Sequence, residues 1–233
     1  MLFRSQNRFP NEDSRGVEFD ETNLFRASRF GGLDRVEGGQ HFDYGVSTTA
    51  IRDNGGRAGV FVGQSYRLQN ESAFSQHSGL SGHQSNYVGR LMFSPHPWFA
   101  TRYSFHMDQN DFSAQRNRAS AYFGPRSLNL RLSYVFVDRL TQPSLTNSIE
   151  QLGATLNARL TPNWRGQARY LTSLADDSGA LLWGGSLIYE DECLLVGADL
   201  TRRYVGNRDN PPDTAIVMRV VFRNLGEIKT GLF

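Results

Sequence analysis

The sequence is poor in several features that would place it in a familiar class. It has 233 residues with one cysteine, Cys193, and one lysine, Lys229, and its net charge is only +2. No run of about 18 apolar residues could form a membrane-spanning helix, so helical membrane proteins are excluded. Because basic and acidic residues nearly cancel, there is no general reason to expect a nucleic-acid partner. Aromatic residues make up 12% of the chain, which is too many for a disordered protein.

The first residues also lack the pattern of an export signal. The segment 1–6, MLFRSQ, has neither an apolar stretch nor a small-residue cleavage site. A start of this kind predicts either a protein that stays inside the cell or a sequence that does not begin at its native start.

What the chain does have is alternation of apolar and polar residues at period two, which is typical of β-strands. In the clearest segment, one face carries Leu128, Leu130, Leu132, Tyr134 and Phe136. We predict an all-β chain of about eleven antiparallel strands, and all eight prolines fall outside them. The predicted strands are 36–51, 56–67, 86–94, 98–108, 112–123, 127–138, 147–160, 163–173, 180–190, 192–204 and 213–224. Strand 112–123 alternates poorly and is the weakest of them.

The connections between these strands alternate in length, which is the layout of an outer-membrane β-barrel with short periplasmic turns and longer external loops. Trp98 and Trp164 each begin a strand after a short turn, and Trp183 lies near the opposite end. These positions suit aromatic residues at the two membrane interfaces. A soluble antiparallel barrel or sandwich would also alternate. Its strands are usually about 5 or 6 residues long, however, so the strand length favours the membrane.

Arginine is concentrated on the polar face of the predicted strands. Since these residues alternate with apolar, lipid-facing ones, we expect them to point into the lumen of the barrel. A planar guanidinium group can bind phosphate or carboxylate, but a solvated lumen with ordinary ion pairs to Asp and Glu is the favoured explanation of the pattern. The lumen-facing candidates are Arg102, Arg131, Arg159, Arg169 and Arg219.

The direction of the strands predicts that the eleven are an incomplete set. If the last strand ends in the periplasm, strand 36–51 begins outside, whereas a barrel chain enters from the periplasm and has an even number of strands. An open sheet would also leave unpaired edge groups in hydrocarbon. We therefore expect the C-terminal part of a larger barrel. The alternative is a self-contained passive channel or porin of about 12 strands, with residues 1–9 as the extra strand.

A resemblance to a known family sharpens this expectation. It rests on an unusual string between residues 10 and 40 and on two shorter matches further along the chain. These are PNEDS at 10–14, FDETNLF at 19–25, RFGGLDRVEGG at 29–39, VGQSYR at 62–67 and YEDEC at 189–193. The string closely resembles the LptD family of lipopolysaccharide (LPS) assembly proteins, also called the organic solvent tolerance family.

The resemblance implies a translocon of the bacterial outer membrane. In that family a barrel of about 26 strands encloses a lipoprotein plug, and an N-terminal periplasmic domain receives LPS from periplasmic bridge proteins. The lipid leaves through a lateral gate between the first and last strands. On this mapping, residues 1–35 form a loop and short-helix segment and residues 36–233 form the C-terminal strands. Strand 213–224 would be the closing strand of the barrel.

The resemblance also gives Cys193 an expected role. The family has disulfides between a C-terminal cysteine site and cysteines near the N-terminus, so Cys193 is expected to pair with a cysteine outside this chain. Without that resemblance, Cys193 is equally a small buried hydrophobic residue or an incidental thiol.

No constellation of residues predicts catalysis. The five histidines are scattered without a zinc-ligand spacing, and there is neither a phosphate-binding glycine loop nor a G-x-S-x-G motif. We therefore expect no enzyme activity, no metal site and no cofactor.

Overall fold

A computed structural model describes residues 18–30, 36–69, 74, 78–141, 147–175, 178–206 and 211–222, together with the backbone of 226–232. The described residues form a twelve-stranded antiparallel sheet whose strand order is the sequence order, with β1 and β12 at its two ends. The strands are β1 (His41–Ile51), β2 (Arg57–Arg67), β3 (Tyr87–His96), β4 (Phe99–Met107), β5 (Ala114–Phe123), β6 (Leu128–Val137), β7 (Ile149–Arg159), β8 (Trp164–Ser173), β9 (Gly179–Glu190), β10 (Leu194–Arg203), β11 (Thr214–Phe222) and β12 (Gly226–Leu232).

The predicted all-β fold is confirmed, and each of the eleven predicted strands is present with its ends moved by a few residues. The largest difference is at β1, which begins at His41 rather than at residue 36. A 3-10 turn lies at Arg139–Thr141, between β6 and β7. No helix among the described residues is long and apolar enough to cross a membrane.

Two details differ from expectation. Pro95 lies inside β3, although every proline was expected outside the strands. The pairing of β3 with β2 ends at Ser94, so the missing N–H of Pro95 removes no hydrogen bond to that neighbour. The prediction that strand 213–224 closes the sheet is wrong, because β12 pairs along β11, from Ile216 opposite Leu232 to Phe222 opposite Gly226.

The segment before β1, where a loop and a short helix were expected, contains a turn at residues 21–25. The carboxylate of Asp20 accepts hydrogen bonds from the backbone amide and the hydroxyl of Thr22, at 2.8 and 2.6 Å. Asn23 in turn bonds back to the amide of Asp20 at 3.0 Å. These local bonds satisfy the backbone without an α-helix. Residues 1–17 and 31–35 lie outside the described residues.

The chain divides into two compact units. The first comprises Met1–Ser94, Arg102–Ala119 and Phe136–Ile149. The second comprises Pro95–Thr101, Ser120–Val135 and Glu150–Phe233. Each has a sheet surface with one polar and one apolar face, and the two units differ in what covers the polar face.

Candidate functional site: the two faces of the sheet

In the second unit, the register of the strands places the predicted arginines on one face. Arg159 lies opposite Arg165, Arg165 opposite Ile188, Ile188 opposite Gly197, and Gly197 opposite Arg219. These residues therefore form one row across five strands. Arg169 is four residues beyond Arg165 on β8 and shares this face, because side chains alternate at period two.

Arg131 belongs to the same face of the second unit. Its neighbour two residues earlier, Asn129, accepts a hydrogen bond of 3.0 Å from the side chain of Asn157, which stands two residues before Arg159. The guanidinium of Arg131 also lies 5.8 Å from the ring centre of Tyr122. The side chains of Arg131, Arg159, Arg169 and Arg219 are exposed. The structure thus brings four predicted arginines together on one polar face, and their exposure to a lumen stays a prediction.

Arg102 lies in the first unit, on a face that the segment before β1 contacts. It shares its side of β4 with Ser104 and His106. The Ser104 hydroxyl donates a hydrogen bond of 2.6 Å to Glu21, and the ring of Phe19 meets His106 edge-on at 5.7 Å. Residues 18–30 therefore cover part of the polar face of the first unit.

An apolar core holds the segment before β1 against the sheet. Phe19, Leu24 and Phe30 from the segment before β1 pack with Phe74, Leu80 and Val88, and all six are buried. The rings of Phe30 and Phe74 stack at 4.9 Å. The sheet contributes Gly63, where an added Cβ would come within 2.9 Å of the Tyr44 carbonyl and would meet the Leu24 side chain. A glycine at this position lets the segment approach the sheet closely.

Beside this core lies a buried ionic cluster formed by Arg29, Glu37, Asp43 and Arg67. The Glu37 carboxylate accepts hydrogen bonds from the Arg29 amide at 3.0 Å and from the Arg29 guanidinium at 2.6 Å, and it pairs with Arg67. Arg29 also pairs with Asp43 and donates to the Leu24 carbonyl at 2.6 Å. The side chains of Arg29 and Glu37 have no exposed area. Two positive and two negative charges are therefore desolvated together, which is tolerated only when all are paired.

No pattern in the sequence predicts this cluster. Arg29 and Glu37 lie within the string that resembles the family, but nothing in the string itself showed that they are paired. Two guanidinium groups of the cluster also lie near aromatic rings, Arg67 at 4.5 Å from the centre of Phe74 and Arg29 at 5.6 Å from that of Phe19. These cation–π contacts help to hold the segment before β1 against the sheet.

The poor alternation of the fifth predicted strand has a structural reason in the same region. Arg116 and Arg118 lie on one side of β5, and both form ion pairs with Glu18, at 2.6 Å for Arg116. The polar residues that weakened the strand pattern therefore face the segment before β1.

The opposite face is apolar and exposed in both units. In the first unit it carries Phe42, of which 67% is exposed, and Val46, of which 75% is exposed. In the second unit it carries Leu152, Leu156, Trp164, Tyr170, Trp183, Leu187, Ile216 and Met218, all exposed. Soluble monomers rarely expose so many large apolar side chains together, so this face is suited to contact a membrane or another protein.

Trp164 begins β8 opposite Tyr189, whereas Trp183 is the fifth residue of β9 and lies opposite Tyr170, six residues further along β8. At a rise of about 3.3 Å per residue, the two tryptophans are about 20 Å apart along the strand. Trp98 lies in the turn before β4 and stacks on His96 at 5.4 Å. Contact of these rings with membrane interfaces stays a prediction.

Cys193 lies in the turn between β9 and β10. Its thiol is free and its side chain is exposed, and its backbone amide donates a hydrogen bond of 2.9 Å to Asp191. A disulfide to a cysteine outside the chain requires this accessibility, and the pairing itself stays a prediction. The described residues contain no group of three His, Cys, Asp or Glu side chains that could hold a metal ion.

Comparison with known proteins agrees with the resemblance seen in the sequence. The family model described as LptD, LPS transport system D, matches residues 3–164. The LPS-assembly protein LptD of Xanthomonas euvesicatoria pv. vesicatoria is 25% identical over 238 residues, which cover 96% of this chain and 29% of that protein. The LPS-assembly protein LptD of Histophilus somni is 26% identical over 220 residues, which cover 86% of this chain and 28% of that protein. The chain therefore spans under a third of the length of these relatives, and it belongs to the LptD family.

Proposed function

We propose that this chain forms the C-terminal strands of an outer-membrane translocon that inserts lipopolysaccharide into the outer leaflet. The sheet would be part of a barrel of about 26 strands, with the apolar face toward lipid and the polar face toward the lumen. The proposed process moves a lipid without covalent chemistry, so it needs neither a catalytic residue nor a cofactor. Family membership supports this proposal, since the matched relatives are named for LPS assembly.

The observation that carries the proposal is the two-faced sheet. Its strands are 9 to 12 residues long from β1 to β11, and membrane-spanning strands need about 9 to 11. On β8 and β9 the apolar face carries four exposed large side chains, Trp164, Tyr170, Trp183 and Leu187. In an outer-membrane barrel such a face is covered by lipid, which removes the cost of exposing it to water.

The polar face supports the proposed partners. Exposed guanidinium groups at Arg131, Arg159, Arg169 and Arg219 can bind lipid A phosphates or carboxylates of a lipoprotein plug through paired hydrogen bonds. Periplasmic bridge proteins would deliver LPS to an N-terminal domain that is not part of this sequence. We place residues 1–35 before the sheet and residues 36–233 within its strands, and we place the lateral gate at the last strand of the barrel.

Depletion of the protein from its own cells tests the proposed function. We expect LPS that is accessible to a membrane-impermeant probe to fall, while newly made LPS accumulates in the inner membrane. Restoring the wild-type protein should restore surface LPS. Unchanged surface LPS on depletion would contradict the proposed role.

A passive channel is a second candidate, because the described sheet has twelve strands, the expected number, although β1 and β12 stand at its two ends and the expected extra strand 1–9 lies outside the described residues. The purified protein in a planar bilayer separates the two. A stable open conductance without the plug lipoprotein or LPS favours the channel. The absence of a stable conductance, together with loss of surface LPS on depletion, favours the translocon.

We also propose that Cys193 forms a disulfide with a cysteine outside this chain. Its exposed position in a short turn allows such a partner to approach. In the native full-length protein, a maleimide reagent should label Cys193 only after reduction. Labelling of the unreduced protein would contradict the disulfide, while leaving the proposed transport unaffected.

A further inference from the structure

The first unit contains a polar pocket that the faces of the sheet do not explain. It has a volume of about 310 Å³ and lies at the end of the sheet where β3 begins, β4 ends and β5 begins. A volume of this size is at the lower end of ligand-binding pockets. The end of the sheet is the one with the longer connections, 68–86 and 108–113.

The side chains that line the pocket are mostly amides. They are Gln84, Asn86, Gln109, Asn110 and Gln115, and the one charged residue of the lining is Asp108. Asp108 is partly committed already, because it accepts a hydrogen bond of 2.8 Å from the Asn110 backbone. Asp111, in the same turn, bonds instead to Ser113, whose hydrogen bonds hold the pKa of Asp111 below its usual value. The lining therefore carries one carboxylate and no positive charge among the described residues.

Two buried polar atoms at the pocket have no hydrogen-bond partner among the described residues. One is the amide oxygen of Gln109, which lines the pocket. The other is Nε2 of His106, which lies directly behind Gly79 in the pocket wall. Buried polar atoms are normally satisfied, so unpartnered ones in a pocket indicate a ligand or ordered water.

Gly79 keeps the approach to these groups open. Its φ is +72°, which favours glycine, and a Cβ there would lie 2.7 Å from His106 Nε2 and 2.9 Å from the Asn86 amide. Any larger residue would fill the space between the pocket and these polar atoms.

The chemistry of the lining selects among ligand classes. Phosphate and carboxylate ligands need Arg or Lys, and none lines the pocket among the described residues. An apolar ligand would remove water from the amide side chains of the lining without offering them hydrogen bonds. Each amide side chain both donates and accepts hydrogen bonds, and this combination matches the hydroxyl groups of a sugar.

We propose that this pocket binds a neutral sugar unit of the oligosaccharide part of LPS. The proposal rests on the proposed function for the source of the sugar and for the orientation of the sheet, in which the longer connections face outside. The oligosaccharide would then meet the pocket as it leaves the barrel, separately from the phosphates that the arginine face can bind.

Binding of delipidated, dephosphorylated core oligosaccharide to the protein tests the proposal. The protein is purified from outer membranes into a detergent without a sugar headgroup, and saturation-transfer NMR measures the contact. We expect saturable transfer to the sugar protons, weakened at least tenfold by Gln109→Leu. Gln40→Leu, at an exposed position outside the pocket lining, is the matched control and should bind like the wild type.

The absence of saturable transfer to the wild-type protein would overturn the proposal, as would equal binding by wild type and Gln109→Leu. To guard against misfolding, Gln109→Glu keeps an acceptor oxygen at the same position in a side chain of similar size, and it should bind more tightly than Gln109→Leu. The assay is independent of transport. A protein that supports surface LPS but does not bind the oligosaccharide overturns the pocket alone, whereas one that binds it but does not support surface LPS overturns the proposed function alone.

Discussion

The two units of the sheet share one pattern of alternation and yet treat charge in opposite ways. In the first unit the segment before β1 covers the polar face and buries Arg29, Glu37 and Arg67 with almost no exposed area. In the second unit the arginines of the polar face are exposed, and the Arg165–Glu190 ion pair is roughly half open to solvent. The period-two alternation of the sequence therefore determines which side chains share a face. The connecting segments determine whether that face is buried or exposed to solvent.

The largest loss of stability is expected when one buried charge of the first unit is removed. Glu37→Gln leaves two desolvated guanidinium groups without their shared carboxylate, so we expect the free energy of unfolding to fall by about 3–5 kcal/mol. Glu190→Gln makes the same chemical change at an exposed pair and should cost less than about 1 kcal/mol. Urea unfolding in detergent micelles, followed by tryptophan fluorescence, measures both. Similar losses for the two variants would show that the charged groups of the first unit are no more desolvated than those of the second.

The apolar face can be tested with two adjacent residues of β6. If that face contacts lipid, Leu132→Arg places a charge in hydrocarbon and should cost about 2–4 kcal/mol near the midplane. Arg131→Gln, on the opposite face, should barely change insertion. Folding titrations into lipid bilayers measure both, and equal losses would overturn the assignment of the faces.

A smaller loss of stability is expected where the segment before β1 contacts the sheet. Gly63→Ala places a methyl group against the Leu24 side chain and the Tyr44 carbonyl, so we expect a loss of about 1–3 kcal/mol from overpacking. Gly166→Ala, in a strand of the second unit, meets no atom closer than 3.9 Å and should be tolerated. Thermal unfolding compares the two. Tolerance of alanine at residue 63 would mean that the segment can move away from the sheet without cost.

Much of the fold could be predicted from the sequence because β-strand alternation is a local property. The face of Leu128 to Phe136 could be read directly. β12 was missed because Gly226–Leu232 is short and carries two glycines and two charges, which weakens the pattern. Its pairing with β11 depends on the neighbouring strand and not on its own sequence.

The buried cluster could not be predicted, for a different reason. Arg67 is 30 residues from Glu37, and Asp43 is 14 residues from Arg29. The segment before β1 folds back onto the sheet, and this packing determines which arginine is buried. Such a long-range contact is not visible in the local periodicity of the sequence. Arg116 and Arg118 show the converse, since their irregular pattern was visible while their partner Glu18 was not.

If Trp164 and Trp183 mark the two membrane interfaces, their spacing has a consequence for the surrounding bilayer. The two tryptophans are about 20 Å apart along the strand, and less along the membrane normal if the strands tilt by about 35–45°. A typical hydrocarbon layer is about 30 Å thick, so lipid beside β8 and β9 would have to thin to match, at fractions of a kcal/mol per Å. Hydrophobic mismatch of this kind would make these strands selective for a thin membrane.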